Sequence, residues 1–142
     1  MFLGRHDHTL DAKGRLALPA RFREKLTEGV IITRGFDACL LVYPMETWAP
    51  LAEKVAALSV TDPDARVLRR MLFSHATDAQ LDRQGRVLIP ADLRAHARLE
   101  REATVVGMHT FIEIWSPAGW AAQDELVERE GASIAEKLSA LV

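Results

Sequence analysis

Cysteine and long apolar runs are nearly missing from this chain. With one cysteine, Cys39, no disulfide can form within it, so a cytosolic setting is the expectation. The longest apolar stretch, Ala38 to Met45, is far too short to span a bilayer. No secretory leader is expected, because Arg5, His6, Asp7 and His8 interrupt the start at once. Catalytic signatures are missing as well: there is no Gly-x-Ser-x-Gly elbow, no glycine-rich phosphate cradle and no His-Glu-x-x-His pair. His6 and His8 flank Asp7, but strand residues two apart merely share a face, and no further ligand cluster accompanies them. His75, His96 and His109 are scattered, and Cys39 reads as a small core residue inside an apolar strand. Trp48, Trp115 and Trp120 lie in apolar patterns, which favours core or subunit interface over base stacking. An enzyme, a cofactor, a metal site and a small-molecule substrate are therefore not expected.

What is present argues for a folded core. Hydrophobic residues make up 49% of the 142 positions. A half of about 70 residues struggles to bury enough apolar surface alone, so the halves should pack as one unit. The net charge of −2 hides an asymmetry. Residues 1–34 hold seven Lys/Arg against four Asp/Glu, whereas residues 111–142 hold two against six. An anionic partner would be sought at the basic front, although two ordinary solvated faces would give the same count.

The chain is organised around one stretch that occurs twice. Asp11-Ala-Lys-Gly-Arg15-Leu-Ala-Leu-Pro19 returns as Asp82-Arg-Gln-Gly-Arg86-Val-Leu-Ile-Pro90. Aligning Asp7–Arg23 with Asp78–Arg94 gives seventeen positions and eight identities, among them Asp11/Asp82, Gly14/Gly85, Arg15/Arg86 and Arg23/Arg94. That is an internal repeat. Asp followed three residues later by Gly is turn chemistry, since Asp bonds the backbone ahead and Gly accepts positive φ. Each copy thus predicts a hairpin with a Gly-containing loop, then a short helix opened by Pro19 or Pro90. Phe22 and Leu26, like Leu93 and Ala97, stand four apart and can cover the hairpin.

Taken in order, residues 2–10 predict the first strand, Val30–Thr33 a third and Ala38–Tyr43 a fourth, ended by Pro44. A helix bearing Trp48, Leu51, Val55 and Leu58 follows, with Pro50 expected in its first turn. Asp62-Pro63 should cap a connecting helix whose apolar stripe is Val67, Leu68, Met71 and Leu72, with Arg66, Arg69 and Arg70 pointing elsewhere. In the second copy the strands are expected over Ala103–Val106 and Thr110–Trp115. Ser116-Pro117 should cap a last helix with Trp120 and Leu126, broken at Gly131. These readings divide the chain into a first repeat (1–60), a connecting helix (61–76), a second repeat (77–130) and a tail (131–142).

Met1-Phe-Leu-Gly, Leu10-Asp-Ala-Lys-Gly-Arg-Leu-Ala-Leu-Pro and Leu81-Asp-Arg-Gln-Gly-Arg-Val-Leu-Ile-Pro together resemble the MraZ family. Each half resembles the SpoVT-AbrB swapped-hairpin domain. The resemblance implies an α+β fold of two tandem half-barrels interleaved about a pseudo-twofold within one chain, plus flanking helices. It further implies a bacterial DNA-binding transcription regulator, typically a repressor, on short direct repeats in the promoter of the division and cell-wall gene cluster. Ring-shaped homo-oligomers of octamer or dodecamer type and a cytoplasmic, nucleoid-associated location follow from the same likeness. Gln84 stands in place of Lys13, so the two loops are unequal.

The motif's chemistry suits that partner. An arginine just after a tight turn offers a planar fork to a phosphate or to guanine O6/N7, and a two-stranded ribbon fits a major groove. Arg15 and Arg86 are the expected double-stranded DNA contacts, with Lys13, Arg83, Arg21 and Arg23 adding phosphate contacts from loop and helix. Asp11, Gly14, Asp82 and Gly85 are expected to hold the loops. One copy alone would read as an ordinary turn with a surface arginine; two matching copies together with the family resemblance favour function. For Arg21 and Arg23 a solvated helix face reads equally well. The rival readings are a protein-interaction, antitoxin-like module whose acidic tail grips a partner, and a ring scaffold that regulates nothing.

Overall fold

In the computed structural model, which describes residues 1–142, the two strands of each repeat part company immediately after the turn. The first half contains β1 (Arg5–Thr9), β2 (Arg15–Ala17), α1 (Ala20–Arg23), β3 (Val30–Arg34), β4 (Cys39–Pro44) and α2 (Met45–Ala56). After α3 (Pro63–Ser74) come β5 (Thr77–Ala79), β6 (Arg86–Leu88), α4 (Ala91–His96), β7 (Glu102–Gly107), β8 (Ile112–Trp115) and α5 (Pro117–Leu138). A six-stranded sheet runs β1-β7-β8-β4-β3-β5, and β2 pairs with β6 in a separate two-stranded ribbon. Every pairing is antiparallel.

The expected local hairpin is therefore corrected. Only a bridge from Leu10 to Leu16 joins the strands flanking the first loop. β1 instead pairs with β7, from Arg5↔Val106 to Thr9↔Glu102, and β5 pairs with β3. Exchanging the halves maps these pairings onto one another, while β2–β6 and β4–β8 lie at the centre of the exchange. The physical reason is burial. Leu16, Leu18, Val87 and Ile89 are all 0% exposed, in a single cluster of 19 buried residues drawn from both halves. A hairpin folded within one half would leave one face of these residues in water, at about 25 cal/mol per Å² of apolar surface.

Helices cover the sheet where aromatic residues seat them. Trp48 of α2 lies against Tyr43 and Phe73, and its counterpart Trp120 of α5 lies against Trp115. The expected caps are present: Asp62 accepts the Asp64 N–H at 2.9 Å and Ser116 accepts the Gly119 N–H at 3.0 Å. Helix α2 begins at Met45, so Pro50 sits a turn deeper than expected. On α3 the buried residues are Ala65 and Leu72, whereas Val67 is 61% exposed. Arg66 and Arg69 turn back to donate to the carbonyls of Val60 and Leu58 at 3.0 and 2.7 Å, closing the end of α2.

Gly131 does not break the last helix, which runs through it to Leu138. A helical glycine costs only about 1 kcal/mol relative to alanine, too little to stop a segment rich in Ala, Glu and Leu. A β-carbon there would meet only the Val127 side chain, at an ordinary 3.7 Å. Gly131→Ala is therefore expected to stabilise by about 0.5–1 kcal/mol. Thermal unfolding should show a rise of about 2–3 °C.

Candidate nucleic-acid interface

Each repeat's Asp organises its own loop. Asp11 Oδ1 accepts the backbone N–H of Lys13 and of Arg15, both at 2.9 Å. Its Oδ2 accepts Arg15 Nε at 2.6 Å. Asp82 repeats the pattern with the N–H of Gln84 and Arg86 at 2.9 Å and Arg86 Nε at 2.8 Å. Backbone bonds close both turns: Gly14 N–H to the Asp11 carbonyl at 3.0 Å, and Gly85 N–H to the Asp82 carbonyl at 2.9 Å. Gly14 and Gly85 stand at φ +84 and +72, where a side chain is strained. In both loops the Asp accepts two backbone N–H bonds and the Gly makes the turn at positive φ.

Both carboxyls are held below their ordinary value, foremost by the backbone N–H of Arg15 or Arg86, then by the same arginine's guanidinium and the N–H two residues on. A depressed folded-state value means the carboxylates stabilise the loops at neutral pH and lose that contribution as pH falls. The loss should begin below the ordinary 3.8 and complete as pH passes through the folded value. Amide NMR shifts of Gly14, Arg15, Gly85 and Arg86 should move together in that window, and Asp11→Asn should remove the transition from the first loop alone.

The β2–β6 register decides where the arginines sit. Arg15 pairs opposite Leu88, and Arg86 opposite Ala17. The pleat sends Leu16 and Val87 inward, leaving Arg15, Ala17, Arg86 and Leu88 on the outer face. An antiparallel ribbon thus carries one arginine at each end. Neither is a freely projecting cation. The Arg15 side chain is 34% exposed and that of Arg86 27%, and Arg86 Nη1 also lies 3.5 Å from Asp11 Oδ2. Tethering by Nε fixes each guanidinium plane, and the Nη edge of Arg15 makes no hydrogen bond within the chain. That edge is the one that pairs two ways with a phosphate or a guanine.

Lys13, Arg83 and Arg21 are exposed, and none forms an ion pair. The two loops hold four cations, Lys13, Arg15, Arg83 and Arg86, against Asp11 and Asp82. Arg23 is placed differently. Its Nε donates to the Leu18 carbonyl at 3.0 Å, and its side chain lies over Gly85. Arg94 does the reciprocal, donating to the Ile89 carbonyl at 2.6 Å while lying over Gly14. Backbone bonds from Leu18 N–H to the Gly85 carbonyl and from Ile89 N–H to that of Gly14, at 3.0 and 2.9 Å, complete the exchange. Each loop is seated under an arginine from the other half. Sequence reasoning did not single out Arg94, although its identity with Arg23 in the repeat was the available signal.

His6 Nε2 approaches the Leu3 carbonyl at 3.4 Å, and its ring meets the edge of Phe22. No group of three His, Cys, Asp or Glu residues is placed to hold a metal ion. Burial, then Glu113 and Asp37, push the Cys39 thiol up to about 12, which leaves it unreactive. No helix is long and apolar enough to cross a membrane.

The fold and the doubled loop define a mixed α+β protein of two repeats with antiparallel sheets. The profile of the family described as "MraZ protein, putative antitoxin-like" matches twice, over residues 1–71 and 72–139. A protein of Thermomicrobium roseum named "Transcriptional regulator MraZ" is 60% identical over 142 residues, the whole of both chains. Proteins of the same name from Herpetosiphon aurantiacus and Desulfitobacterium hafniense are 49% and 51% identical. These alignments cover 99% and 97% of this chain, and 98% and 96% of the relatives. The chain belongs to the MraZ family.

Proposed function

We propose that this protein is a transcriptional regulator that binds double-stranded promoter DNA through the outer face of the β2–β6 ribbon. The observation that carries the reading is the pair of carboxylate-oriented arginines, Arg15 and Arg86, at opposite ends of one ribbon. The relatives' shared name, a regulator and not an enzyme, supports it. Lys13, Arg83 and Arg21 add phosphate contacts, while Arg23 contributes by seating the second loop. The interleaved pairings support the swapped-hairpin, half-barrel reading of each repeat. Several copies assemble as a ring of octamer or dodecamer type, so that spaced loops meet short direct repeats upstream of the division and cell-wall cluster and repress it. Such a ring offsets a weak single contact, because linked contacts raise avidity by about 10²–10⁴. The protein then acts in the cytoplasm, at the nucleoid.

Promoter DNA titrated at two or more salt concentrations tests this. Affinity should fall steeply with salt, with a slope of about −0.9 per phosphate contact. Lys13→Ala and Arg83→Ala should each reduce the slope by about one per engaged subunit. A flat salt response would remove the ribbon from the mechanism.

A further inference from the structure

Among the helices the internal symmetry is broken at α5. Beside α2, helix α3 packs against both α2 and β3. Its counterpart α5 has no helix packed beside it to the extent that α3 packs on α2, and it rests mainly on β7 and β8, with Asp124 reaching Arg5 of β1. None of its 22 residues is buried. Trp120, against Trp115, and Asp124, 3.5 Å from Arg5, seat its first turns on the chain's own body. The same stripe continues through Val127, Gly131, Ile134, Leu138 and Leu141, at alternating spacings of four and three residues. From Ala132 onward every residue is exposed. Val127 is 57% exposed, Ile134 42%, Leu138 49% and Leu141 80%. A seam of this period is the pattern a helix presents to another helix.

The complementary surface is on the same chain, at the corner where α2 meets α3. Leu58, Val60 and Val67 are 40%, 71% and 61% exposed there. Arg66, Arg69 and Arg70 surround them, and none forms an ion pair within the chain. Helix α5 holds five carboxylates against two cations. Glu128, beside the seam, has no cationic partner. Two copies of α5 packed together would bring like charges face to face, which disfavours self-pairing.

We propose that the overhanging half of α5 docks on the α2–α3 corner of a second copy, with Ile134 and Leu138 against Val60 and Val67, and Glu128 facing the Arg66–Arg70 side. The contact is heterologous: each copy gives one surface and receives the other. Repetition of such a contact closes a ring or runs on as a filament. This deepens the assembly reading above and rests on it.

Sedimentation velocity on two surface variants tests the contact. One carries Ile134→Asp with Leu138→Asp, the other Val60→Asp with Val67→Asp. Because all four positions are exposed, both should keep the parent's thermal unfolding. The parent chain should sediment as a closed oligomer and each variant alone as a monomer. Mixed in equal amounts, the two variants should form a dimer and nothing larger, because only one compatible pair of surfaces remains. An α5 variant that dissociates while the α3 variant keeps the parent's size would show α5 meeting something else, and would overturn the proposal. Oligomers insensitive to both variants would overturn it and leave the ring standing. A parent chain that is monomeric at every concentration would bring down both.

Discussion

Alanine at both Arg15 and Arg86 will lower affinity for promoter DNA by about a hundredfold or more, each arginine pair contributing on the order of 1–3 kcal/mol. The single variants should differ. Arg15→Ala should weaken binding more than Arg86→Ala. Arg15 stands beside Lys13 and keeps its Nη edge free, whereas Arg86 is 27% exposed and shares its charge with both Asp82 and Asp11. Removing Arg86 also releases Asp11 from a second cation, so the first loop gains negative potential and the loss will not be zero. Footprinting on the chain's own upstream region, with the two single variants and the double, measures all three. Unchanged protection by the double variant would mean that the ribbon is not the DNA-facing element.

Gly14→Ala and Gly85→Ala should each destabilise the protein by roughly 3 kcal/mol, a sum of left-handed backbone strain and a displaced charged hydrogen bond. The loops' positive φ supplies the first part. The second comes from the other half of the chain, because a β-carbon at Gly14 would collide with the guanidinium of Arg94, and one at Gly85 with that of Arg23. Thermal unfolding should fall by roughly 10 °C for each. Pairing Gly14→Ala with Arg94→Ala separates the causes. Relief of part of the loss would identify the clamp, while an unchanged loss would assign everything to φ. The same logic explains why Arg23 and Arg94, identical in the repeat, are better read as seats for the loops than as groups waiting for phosphate.

Much of the site was legible in the residue order because its bonds are local. Asp11 reaches the N–H groups of Lys13 and Arg15 within five residues, and Gly14 needs positive φ whatever lies around it. Two copies of one pattern then excluded coincidence. The caps at Asp62 and Ser116 were readable for the same reason. Partner choice was not. A strand such as Arg15-Leu-Ala17 alternates equally well beside β1 or beside β6, and nothing in three residues says which.

Turn chemistry, the doubled Asp-x-x-Gly-Arg motif, the family and the identity of the charged side chains were settled by the order of residues alone, since each depends on neighbours within a few positions. Tertiary structure decided that β2 pairs with β6, that both arginines share one outer face under carboxylate restraint, that Arg23 and Arg94 cross between halves, and that α5 continues past Gly131 with its seam uncovered. These features arise only when the apolar faces of two small halves are buried against each other. A half of this size is marginal alone, and the core of 19 buried residues draws on both halves, so the shared core selects the pairing.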